Sequence, residues 1–121
     1  MRIFFVLGSV FAGLAVLFGA FGAHALRDSL SAEDLATFEV GIRYQMYHAL
    51  GLLVTAWAVA RWEASTAVAA GWFFVAGIII FSGSLYLLVL TGPRWLGAVT
   101  PVGGVALIVG WGLLAWTALR A

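Results

Sequence analysis

Residues 39–48 read EVGIRYQMYH, and in this stretch charged and polar side chains enter a long apolar segment. The residues that follow are apolar apart from Thr55 until Arg61 is reached. Because a bilayer core needs about 20 helical residues, counting back from Arg61 puts the membrane boundary near Ile42. At about 1.5 Å of rise per residue, His48 then lies roughly 9 Å inside that boundary. The stretch is therefore predicted to form a polar patch at one mouth of a membrane-spanning helix.

The composition excludes a water-soluble fold. Of the 121 residues, 64% are hydrophobic and only 9% are charged, whereas soluble domains carry about 25% charged residues. The absence of cysteine excludes disulfides and thiolate metal sites. All six basic residues are arginine and the net charge is +1, so there is no basic stripe to bind nucleic acid. We expect membrane lipids, not nucleic acid, as surroundings.

The apolar runs predict an all-α membrane protein. We expect one domain, an antiparallel bundle of four transmembrane helices, with spans at about 3–23, 42–61, 67–90 and 96–119. The short turns around residues 64–66 and 91–95 make consecutive spans antiparallel neighbours. Residues 23–25 also fit a signal-peptide cleavage site, but the preceding apolar run is longer than the usual 7 to 15 residues. A first span is therefore the favoured interpretation.

Helix 2 is predicted to begin before the membrane. Ser31 and Asp34 have the spacing of a capping box, which satisfies the first free N–H groups of a helix. The start is therefore expected near Ala32. Two arrangements remain open before the span: a short interfacial helix that turns inward near Gly41, or an extension of helix 2 itself.

Two spans carry seams of small residues, which let helix backbones approach closely in lipid. Such seams serve packing within one chain or between chains, so a homo-oligomer through these faces is one expectation. The seams consist of Gly8, Ala12, Ala15, Gly19 and Gly22 in span one, and of Gly103, Ala106 and Gly110 in span four.

A helical wheel divides span two into two halves, of which the more polar half is expected to face the bundle. The predicted inward half holds Glu39, Arg43, Tyr44, Tyr47, His48, Gly51 and Thr55. The predicted lipid-facing half holds Ile42, Met46, Ala49, Leu50, Leu53 and Trp57. Intramembrane ionisable residues are functional candidates by default; Glu39 and Arg43, at the boundary, are interpreted mainly as anchors.

No catalytic motif stands out, and we assign no catalytic residue, no metal site and no cofactor. There is no nucleophile–base pair at a characteristic spacing, and the glycines lie in apolar helices where packing explains them. The chain is therefore interpreted as a non-enzyme. Two alternatives stay open: an oligomeric small transporter or channel component, and a haem or metabolite binder that uses His24 and His48.

Four strings resemble a known family when they are taken together: FGAFGAH at 18–24, FEVGIRYQMYHAL at 38–50, FSGSLYL at 81–87 and TPVGG at 100–104. The chain resembles the transmembrane protein 256-like family of small multi-pass membrane proteins, a domain of unknown function. The resemblance implies a bacterial cell-membrane protein, or a protein of other membranes in eukaryotes, with about four spans and no established activity.

These strings lie at the end of span one, the start of span two, the end of span three and the start of span four, so an antiparallel bundle brings them to one membrane side. We call the predicted group the polar cluster. Its members are His24, Glu39, Arg43, Tyr44, Gln45, Tyr47, His48, Ser82, Ser84 and Tyr86.

The expected function is a structural or accessory role in the cell membrane, with lipid or a partner protein bound at the polar cluster. Four spans put both termini on one side. Three arginines lie at each end of the bundle, so the positive-inside rule is balanced. We take cytoplasmic termini as the working orientation.

Overall fold

The computed structural model describes residues 2–121, which form four helices and contain no β-strand. Helix α1 covers Ile3–Leu26, α2 covers Ala32–Trp62, α3 covers Ser65–Thr91 and α4 covers Leu96–Arg120. The all-α prediction is confirmed.

Helix α1 is not uniform along its length. It is α-helical over Ile3–Leu17, π-helical over Phe18–Gly22 and α-helical again over Ala23–Leu26. A π turn holds an extra residue and occurs mostly as a single turn within an α-helix. The turn contains Gly19 and ends with Gly22, which lies against the Phe38 ring of α2.

Helix α2 begins where the capping box predicts. The Ser31 hydroxyl accepts a hydrogen bond from the Asp34 backbone N–H at 3.1 Å, and Glu33 and Asp34 lie in the first turn. These acids suit the partial positive charge of a helix N-terminus. The helix is continuous for 31 residues, so the segment before the predicted span extends helix 2, and no separate interfacial helix forms.

The later connections are tight. After α2, Glu63 adopts the left-handed conformation with φ 50° and ψ 36°, and its N–H donates to the Val59 carbonyl oxygen at 2.8 Å. Helix α3 ends at Thr91, and the following residue, Gly92, has φ 93°. Glycine adopts this conformation without strain, and Pro93 cannot continue a helix. Such short connections return each helix along its predecessor.

Helix α2 lies between α1 and α3, and α4 packs mainly on α3. Gly8, near the start of α1, contacts Ala49 and Leu53 of α2, whereas Gly22 contacts Phe38 nearer the start of α2. These two helices therefore run in opposite directions. The same holds for α3 and α4, because Thr66 pairs with Thr117 and Ser84 pairs with Thr100.

The apolar core lies toward the end of the molecule that holds the start of α1. It is built around Phe4, Leu52, Phe74, Ile78 and Leu107, all buried. The Phe4 ring lies directly over Gly71. This core leaves the polar residues of α2 closer to the opposite end.

Three helices, α1, α3 and α4, are long and apolar enough to cross a membrane. Helix α2 does not meet the same hydropathy criterion, although its 31 residues provide about 46 Å of length. The polar residues of 39–48 lower its hydropathy. Those residues define the candidate site.

Candidate functional site

Gln45 connects three helices near the middle of the polar cluster. Its side chain is only 3% exposed. The Nε2 amide donates to the Phe11 carbonyl oxygen of α1 at 2.8 Å, and the Tyr86 hydroxyl of α3 donates to Oε1 at 2.7 Å. A buried amide is stable only when both of its ends are paired. Gln45 meets this condition through two other helices, which indicates a structural role.

Ser82 forms a second link between α2 and α3. Its hydroxyl donates to the Gly41 carbonyl oxygen at 2.7 Å. The close approach depends on glycine, because a Cβ atom on Gly41 would lie 2.8 Å from Cε1 of Tyr86. The pair Gly41 and Ser82 thus holds the two helices together near the Gln45–Tyr86 hydrogen bond.

Ser84 faces the other neighbour of α3. Its hydroxyl lies 2.6 Å from that of Thr100 in α4 and 2.9 Å from the Phe81 carbonyl oxygen. Both Ser84 and Thr100 are buried. Thr100 belongs to one of the strings that the antiparallel bundle was expected to bring to the same membrane side, and in the structure it is the hydrogen-bond partner of Ser84.

His48 differs from the three buried polar residues above because only one of its ring nitrogens is paired. Nδ1 lies 2.7 Å from the Tyr44 carbonyl oxygen. A carbonyl only accepts, so Nδ1 carries the proton and Nε2 is left with a lone pair in the neutral ring. Every fully covered side-chain nitrogen or oxygen in residues 2–121 has a partner. Nε2 has no partner among residues 2–121 and therefore reaches the surface, although the residue is only 6% exposed.

Aromatic rings surround the imidazole of His48. The ring centroids of Phe74 and Trp111 each lie 5.7 Å from it, and that of Tyr44 lies 6.1 Å away in a stacked arrangement. Trp111 also covers Gly51, where a Cβ atom would lie 3.2 Å from the indole. Nothing in the sequence signalled Phe74 or Trp111, because the contact depends on how α3 and α4 pack beside α2.

Tyr44 and Tyr47 lie on the outer face of the bundle, with 39% and 53% of their surface exposed. Their ring centroids are 5.8 Å apart, and Tyr44 also stacks on Phe81 at 4.6 Å. The prediction that both tyrosines face inward is wrong. Small residues determine which faces of α2 are buried. Gly41 allows α3 to approach closely, and Ala49 lies where Gly8 of α1 packs against α2.

His24, Glu39 and Arg43 are all exposed. Glu39 and Arg43 line a shallow groove between α1 and α2 with a volume of about 210 Å³. The end of α1 approaches α2 at Phe38, ten residues before His48, which corresponds to about 15 Å along the helix. The structure therefore does not bring His24 and His48 together as a pair of haem ligands.

The small-residue seams pack inside the chain. Gly8 faces the Ala49 backbone, where a Cβ atom would lie 2.8 Å from the carbonyl oxygen. In α4, Gly103 faces the Phe81 backbone and Gly110 faces the Phe74 ring. Both seams therefore serve contacts between helices of one molecule.

Residues 2–121 contain no group of three or more metal-ligating side chains. Beyond His48, the buried polar residue of α2 is Thr55, whose hydroxyl donates to the Gly51 carbonyl oxygen at 2.8 Å. Thr55 is the last buried polar residue along α2, and its hydroxyl is paired within the same helix.

Comparison with known proteins agrees with a membrane protein. A family described as a protein of unknown function (DUF423) matches residues 18–104. The chain is 45% identical to the UPF0382 membrane protein YwdK of Bacillus subtilis over 121 residues, which cover 99% of this chain and 98% of the relative. It is 47% identical to a UPF0382 membrane protein of Staphylococcus epidermidis, with 99% and 98% covered.

A third relative, the UPF0382 membrane protein SSP2132 of Staphylococcus saprophyticus, is 48% identical over 94% of each chain. No solved structure is significantly similar to the chain. Because the family model matches more than half of the chain and these relatives align with nearly all of it, the chain belongs to the DUF423 family of small membrane proteins.

Proposed function

We propose that all four helices cross the cell membrane as an antiparallel bundle and that the protein has a structural or accessory role there. The packing of α2 supports its crossing. It contacts α1 through Phe38 and Ala49, and α3 through Gly41 and Gly51. Because α1 and α3 are themselves candidate spans, a helix that contacts both along its length lies in the same layer.

In this arrangement the spans lie near residues 3–23, 42–61, 67–90 and 96–119, and both termini lie on the cytoplasmic side. The wider relationship to the transmembrane protein 256-like family, based on the four quoted strings, is part of the same proposal. This wider relationship does not assign an activity to the chain.

The accessory role acts through the outer face of α2 at Tyr44 and Tyr47, together with the neighbouring His48, whose imidazole stacks with the Tyr44 ring. We call it the tyrosine–histidine face. The observation that carries the proposal is the free Nε2. The buried polar side chains Gln45 and Ser82 have partners in the chain, whereas Nε2 reaches the surface without one. A polar group left unpaired in hydrocarbon costs several kcal/mol, so a hydrogen-bond donor from outside the chain is expected to cover it.

The depth of His48 favours a protein partner over a lipid headgroup. His48 lies six residues past Ile42, which corresponds to about 9 Å below the proposed boundary, whereas lipid headgroups lie above it. A side-chain donor from another membrane helix reaches this depth directly. A second copy of the chain is one such partner, and the internal use of both small-residue seams leaves the tyrosine–histidine face for it.

Photocrosslinking in native membranes tests this role. The photoreactive p-benzoyl-phenylalanine replaces Tyr47 in one variant and, as a matched control, replaces Ile79 on α3, which is 58% exposed. We expect a discrete protein adduct from position 47 only, and its loss when His48→Leu is added. Equal adducts from both positions would overturn the proposal. So would an adduct at position 47 that persists when His48→Leu is added, in a protein of unchanged melting temperature.

A further inference from the structure

A second concave feature lies at the end of the molecule opposite the polar cluster. There the end of α2, the start of α3 and the end of α4 enclose a hollow of about 510 Å³. Its lining consists of two arginines, two tryptophans, two threonines and two alanines: Arg61, Trp62, Ala64, Thr66, Trp116, Thr117, Arg120 and Ala121. The hollow is distinct from the tyrosine–histidine face and shares no residue with it.

Two of the lining residues form a hydrogen-bonded threonine pair. The hydroxyls of Thr66 and Thr117 lie 2.6 Å apart. Thr117 is only 2% exposed, and its hydroxyl donates to the Leu113 carbonyl oxygen at 2.8 Å. Because Thr117 has a single proton, Thr66 is the donor within the pair. The start of α3 and the end of α4 are thereby joined within the lining of the hollow.

The two guanidinium groups are presented from different helices. Arg61 comes from the last turn of α2 and is exposed. The Arg120 guanidinium lies 5.4 Å from the ring centre of Trp116, a cation–π distance that favours an ordered side chain. Two cations that line one hollow repel each other, and an anion placed between them removes that repulsion.

The charged side chains of this end reinforce this arrangement. The end of the bundle that holds the hollow contains three arginines and one acid, namely Arg2, Arg61, Arg120 and Glu63. The opposite end contains three arginines and four acids, namely Arg27, Arg43, Arg94, Asp28, Glu33, Asp34 and Glu39. By side-chain charge, an anion is therefore favoured at the end with the hollow over the end with the polar cluster.

We propose that this hollow binds the phosphate group of an anionic phospholipid. Guanidinium groups match the geometry of phosphate oxygens through paired N–H donors. Tryptophans are enriched at the level of lipid headgroups, and basic pockets between membrane helices bind such headgroups. Trp62 and Trp116 place the hollow at that level, where the acyl chains of a bound lipid continue along the outer surface of the bundle. The site is independent of the tyrosine–histidine face.

Native mass spectrometry on the purified protein tests the site with phosphatidylglycerol and, for comparison, zwitterionic phosphatidylcholine. We expect preferential retention of phosphatidylglycerol, and a loss of affinity of about tenfold or more in Arg61→Gln/Arg120→Gln. Arg27→Gln/Arg94→Gln removes two exposed arginines from the opposite end and is expected to leave retention unchanged. The charge-preserving variant Arg61→Lys/Arg120→Lys is expected to keep most of the preference.

Competition with inorganic phosphate shows whether the bound phosphate group belongs to a lipid headgroup or is free phosphate. If it fails to displace phosphatidylglycerol at millimolar concentration, the ligand is the lipid, as proposed. If it displaces the lipid and raises the melting temperature alone, the hollow is a free-phosphate site and the lipid assignment is wrong. Equal retention of both lipids, or equal loss in the two glutamine double variants, would overturn the anion site itself.

Discussion

The Tyr86 hydroxyl of α3 donates to Oε1 of Gln45 at 2.7 Å, and the opposite end of the same amide reaches the α1 backbone. One side chain of α2 therefore connects the helices on both of its sides. Since apolar surface provides little drive for helices to associate in lipid, hydrogen bonds and close packing must hold the bundle together.

The first prediction concerns Gln45. Gln45→Leu removes two interhelical hydrogen bonds, whereas Tyr86→Phe removes one, so we expect Gln45→Leu to destabilise the protein more. Each such bond contributes about 0.6 kcal/mol on average, and about 1.7 kcal/mol at most, in a membrane protein. Unfolding of the purified protein by increasing SDS measures the difference. Tyr86→Phe should add little in the Gln45→Leu background, and Tyr47→Phe on the outer face is the neutral control. Additive effects of the two changes would contradict the shared hydrogen bond.

The second prediction compares two glycines of α4. A Cβ atom on Gly103 would overlap the Phe81 backbone, whereas one on Gly112 would meet nothing within 4 Å. Gly103→Ala is therefore expected to cost about 1 to 3 kcal/mol through overpacking. Gly112→Ala should be neutral or slightly stabilising, because alanine favours a helix by about 0.5 to 1 kcal/mol. Thermal unfolding in detergent checks both, and similar melting temperatures for the two variants would refute the close α3–α4 contact.

The third prediction concerns the start of α2. Ser31→Ala removes the acceptor of the Asp34 N–H and is expected to cost about 1 kcal/mol of local helix stability. Hydrogen exchange should then become faster for the backbone amides of residues 32–38 and stay unchanged beyond Ile42. Ser29→Ala, in the preceding loop, provides the control. Exchange that is unaffected by Ser31→Ala would show that tertiary contacts alone hold this turn.

The fourth prediction concerns the number of membrane crossings. Four spans place both termini on the same side, whereas three spans would place them on opposite sides. We expect reporters fused to either terminus to give cytoplasmic activity, and a reporter in the connection around Arg94 to give activity outside. Opposite results for the two termini would mean that α2 does not cross. If both terminal reporters were active outside the cytoplasm, the orientation would be reversed and the four-span fold would stand.

Much of the fold followed from local signals. The apolar runs predicted the helices, and the capping box predicted the start of α2 at Ala32, which is confirmed. The choice between an interfacial helix and an extension of helix 2 could not be made from the sequence, because Gly41 suits either a bend or a close contact. In the structure it serves the contact with Tyr86.

The candidate site was harder to predict, because polarity alone does not tell which face of α2 is buried. The wheel placed Tyr44 and Tyr47 inside and Ala49 outside, whereas Ala49 is fully buried and both tyrosines are exposed. In a membrane protein, a small residue such as Ala49 permits close contact between helices, whereas an aromatic residue such as Tyr47 is stable on the outer face. The partner of the Gln45 amide is the Phe11 backbone, which has no signature in the sequence.

The π-helical turn at Phe18–Gly22 sets the phase of α1. Its additional residue means that the helix resumes at Ala23 with its faces offset from those of an uninterrupted α-helix. Deleting one residue there would rotate everything after it by about 100° and carry His24 and the following loop around the helix axis. The direction in which the chain leaves α1 therefore depends on the number of residues in a single turn. Relatives that differ by one residue within this turn should present that loop to a different neighbour.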